Sequence, residues 1–146
     1  MKNEDGSTPL HAAVIAKHEK TVKYLIFRNG SVYNKDESKM TPLHYACKNG
    51  NLPIAKLLLR ANSSLDALNE NNETPATLAV MTGSTSIIKY LLETNMDPNI
   101  ASKGGSLLHL SCKYHHAEIT KLLLVYKADL SQLDVMGNTP FNLITP

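Results

Sequence analysis

Cysteine is scarce in this chain of 146 residues: Cys47 and Cys112 are the only two, and neither stands in a CxxC pair. They allow at most one bridge, and free buried thiols in a reducing compartment are the simpler expectation. Excess charge is also missing. Fifteen Lys and Arg against 13 Asp and Glu leave a formal net charge of +2, too little to draw nucleic acid or an anionic lipid surface. No apolar stretch approaches the length of a membrane span; the longest, such as KLLLVY at 121–126, are soon broken by Lys or Arg. The opening MKNEDGSTP carries acidic and turn residues where a secretory leader needs an apolar core. An intracellular chain is expected, in the cytoplasm with the nucleus also open, and without membrane insertion. Catalytic signatures are lacking too: there is no HExxH, GxSxG or kinase-like set, and SKGGS at 102–106 has neither the spacing nor the Lys-Ser/Thr ending of a phosphate loop. The expectation is no enzyme and no cofactor.

What the chain does contain is a folded protein's composition, 42% apolar and 19% charged, in a length that suits one domain with a real core. Within it a word recurs: TPLH at Thr8 and Thr41, TPAT at Thr74, SLLH at Ser106 and TPFN at Thr139, in steps of 33, 33, 32 and 33 residues. Twenty-three residues after each of the first four starts come Ser31, Ser64, Asp97 and Asp129, an interval that never changes. The missing residue therefore falls between Asp97 and Ser106. Packed helices cannot lose a residue without turning a buried face outward, whereas an exposed turn can. The constant part of each unit is thus expected to be helical and the variable part a surface connection.

Local chemistry agrees. Thr before Pro starts a helix, the hydroxyl capping free amides and Pro fitting the first position. A short apolar helix then breaks at Lys17, Gly50, Gly83 and His115. A longer run follows at i, i+3, i+4 spacing: Val22, Leu25, Ile26; Ile54, Leu57, Leu58; Ile88, Leu91, Leu92; Ile119, Leu122, Leu123. Asn29, Asn62 and Asn95 close three of these runs, where a left-handed residue is needed, and Lys127 holds the fourth such place.

Helix, turn, helix and turn-rich connector every 33 residues, with TPLHAA at 8–13, TPLHYA at 41–46 and the weaker copies TPATLA and SLLHLS, resembles the ankyrin repeat family. The resemblance implies an all-α ankyrin-repeat solenoid of stacked helix–turn–helix units with β-hairpin-like fingers. It places one ankyrin domain over residues 1–146, with repeats at about 5–34, 38–67, 71–100 and 103–132 and a partial one at 136–146. It implies a protein–protein interaction module, a scaffold or adaptor, whose partner docks on the concave side. The alternative is a regulatory or targeting segment of a larger enzyme, channel or host-directed effector.

Mapped unit by unit, the concave surface is expected to comprise finger residues Glu37, Met40, Glu70, Asn71, Glu73 and Lys103, and helix-ridge residues Lys48, Asn49, Met81, Thr82, Lys113 and Tyr114. Met40, Met81 and Tyr114 are the expected exposed anchors. The first three fingers carry Glu4, Asp5, Asp36, Glu37, Glu70 and Glu73 against three Lys, while the second helices are mainly basic; a basic segment on the partner fits the fingers. The word's fourth letter, His11, His44 and His109, resembles the family's structural hydrogen-bonding position. Residues one unit apart do not converge on a metal ion, so no metal is expected there. His115 and His116, adjacent in the turn between helices, leave room for no more than a weak adventitious site, because neighbouring side chains seldom chelate without further ligands. Asn99, with Leu91 and Asp97 before it, sits where some ankyrin repeats are hydroxylated. Both ends read as cut: Tyr24, Ile26 and Phe27 make the first unit apolar, and the fifth lacks a second helix. A segment of a larger array is expected, monomeric unless the ends self-associate.

Overall fold

Four of the five repeated words open an α-helix in the computed structural model, which describes residues 2–144. The first helices are α1 (Pro9–Ile15), α3 (Pro42–Lys48), α5 (Pro75–Met81) and α7 (Leu107–Lys113), and each is followed by a longer antiparallel partner. These partners are α2 (Glu19–Phe27), α4 (Leu52–Arg60), α6 (Thr85–Glu93) and α8 (Ala117–Val125). The fifth word, at Thr139, opens a short 3₁₀ helix, Pro140–Leu143, which packs on α7.

The hydroxyls of Thr8, Thr41, Thr74 and Ser106 accept the backbone amides of His11, His44, Thr77 and His109 at 3.3, 3.3, 3.1 and 3.3 Å. Each such cap contributes about 1 kcal/mol. The same stop follows each short helix. Lys17, Gly50, Gly83 and His115 turn left-handed at φ 60, 66, 74 and 60°. The next amide reaches back five residues: His18 to Ala13, Asn51 to Ala46, Ser84 to Ala79 and His116 to Ser111, at 2.8–3.0 Å. Asn29, Asn62, Asn95 and Lys127 end the long helices in the same conformation.

The layers stack through one continuous core. Val14, Leu43, Cys47, Val80 and Leu107 from the short helices meet Val22, Ile54, Leu58, Ile88, Leu91 and Leu123 from the long ones, all essentially without solvent contact. Small buried residues, Ala13, Ala46, Ala79 and Ser111, line the short-helix row, and that row is packed more closely than the long-helix row. A stack tighter on one side curves, and the short helices lie on the inside of the bend.

From the inner side project the fingers, residues 3–7, 36–40, 69–73, 101–106 and 134–138. The second, third and fifth share one loop. Asp36, Asn69 and Asp134 each accept through Oδ1 from amides two and four residues on, at 2.9–3.0 Å. Lys39, Asn72 and Gly137 close these loops in the left-handed region. The fourth, one residue shorter, instead forms the two-stranded antiparallel hairpin β1 (Ala101–Ser102) and β2 (Gly105–Ser106), with Lys103 and Gly104 at its tip. All four long helices nevertheless keep nine residues and all four short ones seven. The finger absorbs the deletion.

Candidate functional site

A binding surface needs a rigid frame, and histidine builds it. The backbone amides of Thr8, Thr41 and Ser106 donate to Nδ1 of His11, His44 and His109 at 3.1, 3.0 and 3.1 Å. An amide can only donate, so Nδ1 is an acceptor and Nε2 carries the proton. Nε2 then donates to the carbonyls of Met40, Glu73 and Asn138 at 2.9, 3.0 and 2.8 Å, tying each short helix to the next finger. All three rings are fully buried. For His44, burial pushes the pKa below the usual histidine value, with a smaller push from Lys35. With both nitrogens engaged, these histidines are structural ties rather than ligands or proton carriers. Thr77, in the same place in α5, shares a hydrogen bond only with the Thr74 hydroxyl, 2.9 Å away, and ties nothing to the fourth finger.

The other reactive groups are also occupied or enclosed. Cys47 is free and buried, its thiol pushed up to about 12 by burial. Cys112 is free and buried as well, and burial raises it despite opposing hydrogen bonds from Thr120 and Ser111. His116 Nε2 lies 3.2 Å from the Met81 carbonyl. Among the described residues no group of three or more His, Cys, Asp or Glu is arranged to hold a metal ion.

Nine of the sequence-expected contact residues are exposed along the inner side: Glu37, Lys48, Asn49, Glu70, Asn71, Thr82, Lys103, Lys113 and Tyr114. Glu73 and Met81 are half-buried, and Met81 packs against the core. Met40 is not an exposed anchor. It is 6% exposed, because the carbonyl that receives His11 fixes the backbone there and the side chain turns inward, its sulfur 3.5 Å from Asn69 Nδ2. Asp36 also leaves the set of available acids: one carboxylate oxygen takes two loop amides and the other takes the Tyr45 hydroxyl.

The surface holds two adjoining depressions of about 180 and 260 Å³, which share Asn71 and Glu73. Sequence reasoning missed part of their lining: Tyr45 and Leu78 in the first, Thr77 and Leu110 in the second. The signal was present. Tyr45, Leu78 and Leu110 are the fifth letter of their words, where the first unit has Ala12, and a framework residue would not vary in that way.

Comparison with known proteins matches this geometry. The family model for ankyrin repeats, in three copies, covers residues 1–69 and 61–134. The chain belongs to the ankyrin repeat family. A search of the curated proteins found no match. The architecture is that of an all-α ankyrin solenoid, and ankyrin repeats are generally protein–protein interaction modules that bind protein partners and are typically not catalytic. Among the described residues no helix is long and apolar enough to cross a membrane.

Proposed function

We propose that this ankyrin array is a scaffold or adaptor that binds a protein partner on its concave side, across the fingers and the ridge of short helices, without catalysis of its own. The observation that carries this reading is the contrast between frame and surface. Cap hydroxyls and buried histidines are satisfied within the frame, whereas Lys48, Asn49, Thr82, Lys113 and Tyr114 are exposed at rigid helix ends. Their contacts stay local, such as Thr82 Oγ1 donating to the Leu78 carbonyl at 2.9 Å and Lys113 over the Tyr114 ring. Preorganised side chains lose little entropy on binding. The reading includes a monomer in a reducing intracellular compartment, where Cys47 and Cys112 stay free.

Replacing Asn49, Thr82 and Tyr114 together with Glu should remove the bound protein when the chain is used as bait in its source cells. Replacing Lys23, Arg60 and Lys89 with Glu on the long-helix side should leave it. The opposite pattern would place the site on the convex face. Asn99 is also carried as a hydroxylation site. It is exposed, and its Oδ1 accepts the Asp129 amide at 2.7 Å across neighbouring connectors. Mass spectrometry of protein from its native cell tests it, with an unmodified residue as the contrary result.

A further inference from the structure

The chain of amide bonds between neighbouring fingers stops after the third, and at the junction with the fourth the histidine tie is missing as well. The second finger is joined to the first by Glu37 N donating to Asp5 O at 2.9 Å, and the third to the second by Glu70 N donating to Ser38 O at 2.9 Å. Among the described residues no backbone amide of the fourth finger donates to the third. Two sequence events coincide there. The fourth finger has lost a residue and closed as a hairpin, and Thr77 replaces the histidine that would reach across from α5. The 260 Å³ depression occupies this break.

Its floor is apolar: Leu110 is buried, and Met81 flanks it, with Tyr114 on the ridge. Its walls are oppositely charged. Glu73 stands on the third-finger side, with Glu70 beside it in the adjoining depression, while Lys103 and Lys113 stand on the fourth-finger side. Lys113 is held over the Tyr114 ring, its Nζ 5.6 Å from the centroid. These charges do not meet: among the described residues the one ion pair is Lys121–Glu118, on the outer helix α8. Gly104 keeps the mouth open, since a Cβ there would come within 3.3 Å of the Leu110 methyl.

We infer that this notch is the specificity pocket of the concave surface, and that it takes an extended segment of the protein partner ordered basic–apolar–acidic. The apolar side chain enters over Leu110 and Met81, the basic residue faces Glu70 and Glu73, and the acidic one faces Lys103 and Lys113. This rests on the concave-side reading above and adds the chemistry of what is bound. Opposite charges on the two walls fix the direction in which the segment lies, and the apolar floor supplies the anchor.

The test is selection of random displayed peptides on the intact chain, in parallel with the Lys103→Glu/Lys113→Glu double variant, followed by anisotropy titration of the winning peptides and amide-shift mapping. All changed residues are exposed, and the circular dichroism spectrum verifies each fold. The expected result is a shared basic–apolar–acidic order, at least about tenfold weaker binding to the double variant, and selection by that variant of a basic residue in place of the acidic one. Gly104→Val should weaken the same peptides. Peptides of another pattern, or peptides indifferent to Lys103 and Lys113 while shifting inner-side amides, would overturn the notch but leave the concave site standing. Shifts confined to the long helices would overturn both, and a selection that enriches nothing overturns the notch.

Discussion

One ring nitrogen of His44 must accept and the other must donate, so only the neutral ring satisfies both of its neighbours. Burial holds its pKa below the ordinary value of about 6.5. Below that pH the unfolded chain binds a proton that the folded chain refuses, so this contribution to stability is complete above about 6.5 and is lost as the pH falls through the lowered value. Asp5, Asp129 and Asp134 lie below the usual carboxylate range, held down by hydrogen bonds from Ser7, Ser131 and the Asn138 amide respectively. They stay ionised from pH 7 to 5 and add no slope there. His44→Gln should therefore cost about 1–3 kcal/mol at pH 7, and its deficit against wild type in urea unfolding should shrink by pH 5. A deficit that grows on acidification would contradict the neutral-ring assignment. The structural role of this histidine was legible through the resemblance to ankyrin repeats, which the recurrence of His11, His44 and His109 at one place supports. The burial of Met40 was not, because nothing in a finger's sequence says which side its last residue turns to; the His11 bond to the Met40 carbonyl decides it.

At the scale of the helix the sequence was most readable, since starts and stops are written in single residues. Thr-Pro and Ser caps, Gly and Asn stops, and the i, i+3, i+4 runs locate the eight helices, and the location of the lost residue follows from the rigid interval beside it. The finger's conformation was less legible. The resemblance implies hairpin-like projections throughout, yet among the described residues only the fourth pairs as strands, and the others are loops held by the Asp or Asn carboxyl or amide oxygen. Losing one residue removes the left-handed position that Lys39 and Asn72 occupy, and Gly105 at φ 106° takes up a different path. Lys17 and Lys127 hold left-handed helix ends at φ 60 and 64° that suit Gly or Asn better. Relief of a left-handed strain of about 1–2 kcal/mol outweighs the entropy cost of glycine, about 0.5–1 kcal/mol. Lys17→Gly and Lys127→Gly should therefore each stabilise the chain modestly, by about 0.5–1 kcal/mol in chemical denaturation; a loss would mean that the lysine side chains make contacts of their own.

For the whole molecule, the curve set by closely packed short helices gathers side chains that lie a repeat apart in sequence into one surface. Positions in that surface were legible from the repeat phase for the ridge residues and most finger residues. The two depressions were not, because both depend on the fifth letter of each word and the second also on a missing bond between fingers. Placing a photo-crosslinking side chain singly at Asn49 or Tyr114, on the inner ridge, and at Arg60 or Lys89, on the long helices, compares the two faces in the native cell. The concave-side account predicts the same crosslinked protein from Asn49 and Tyr114 and none from Arg60 or Lys89. Crosslinks to a common protein from Arg60 and Lys89 alone would contradict it.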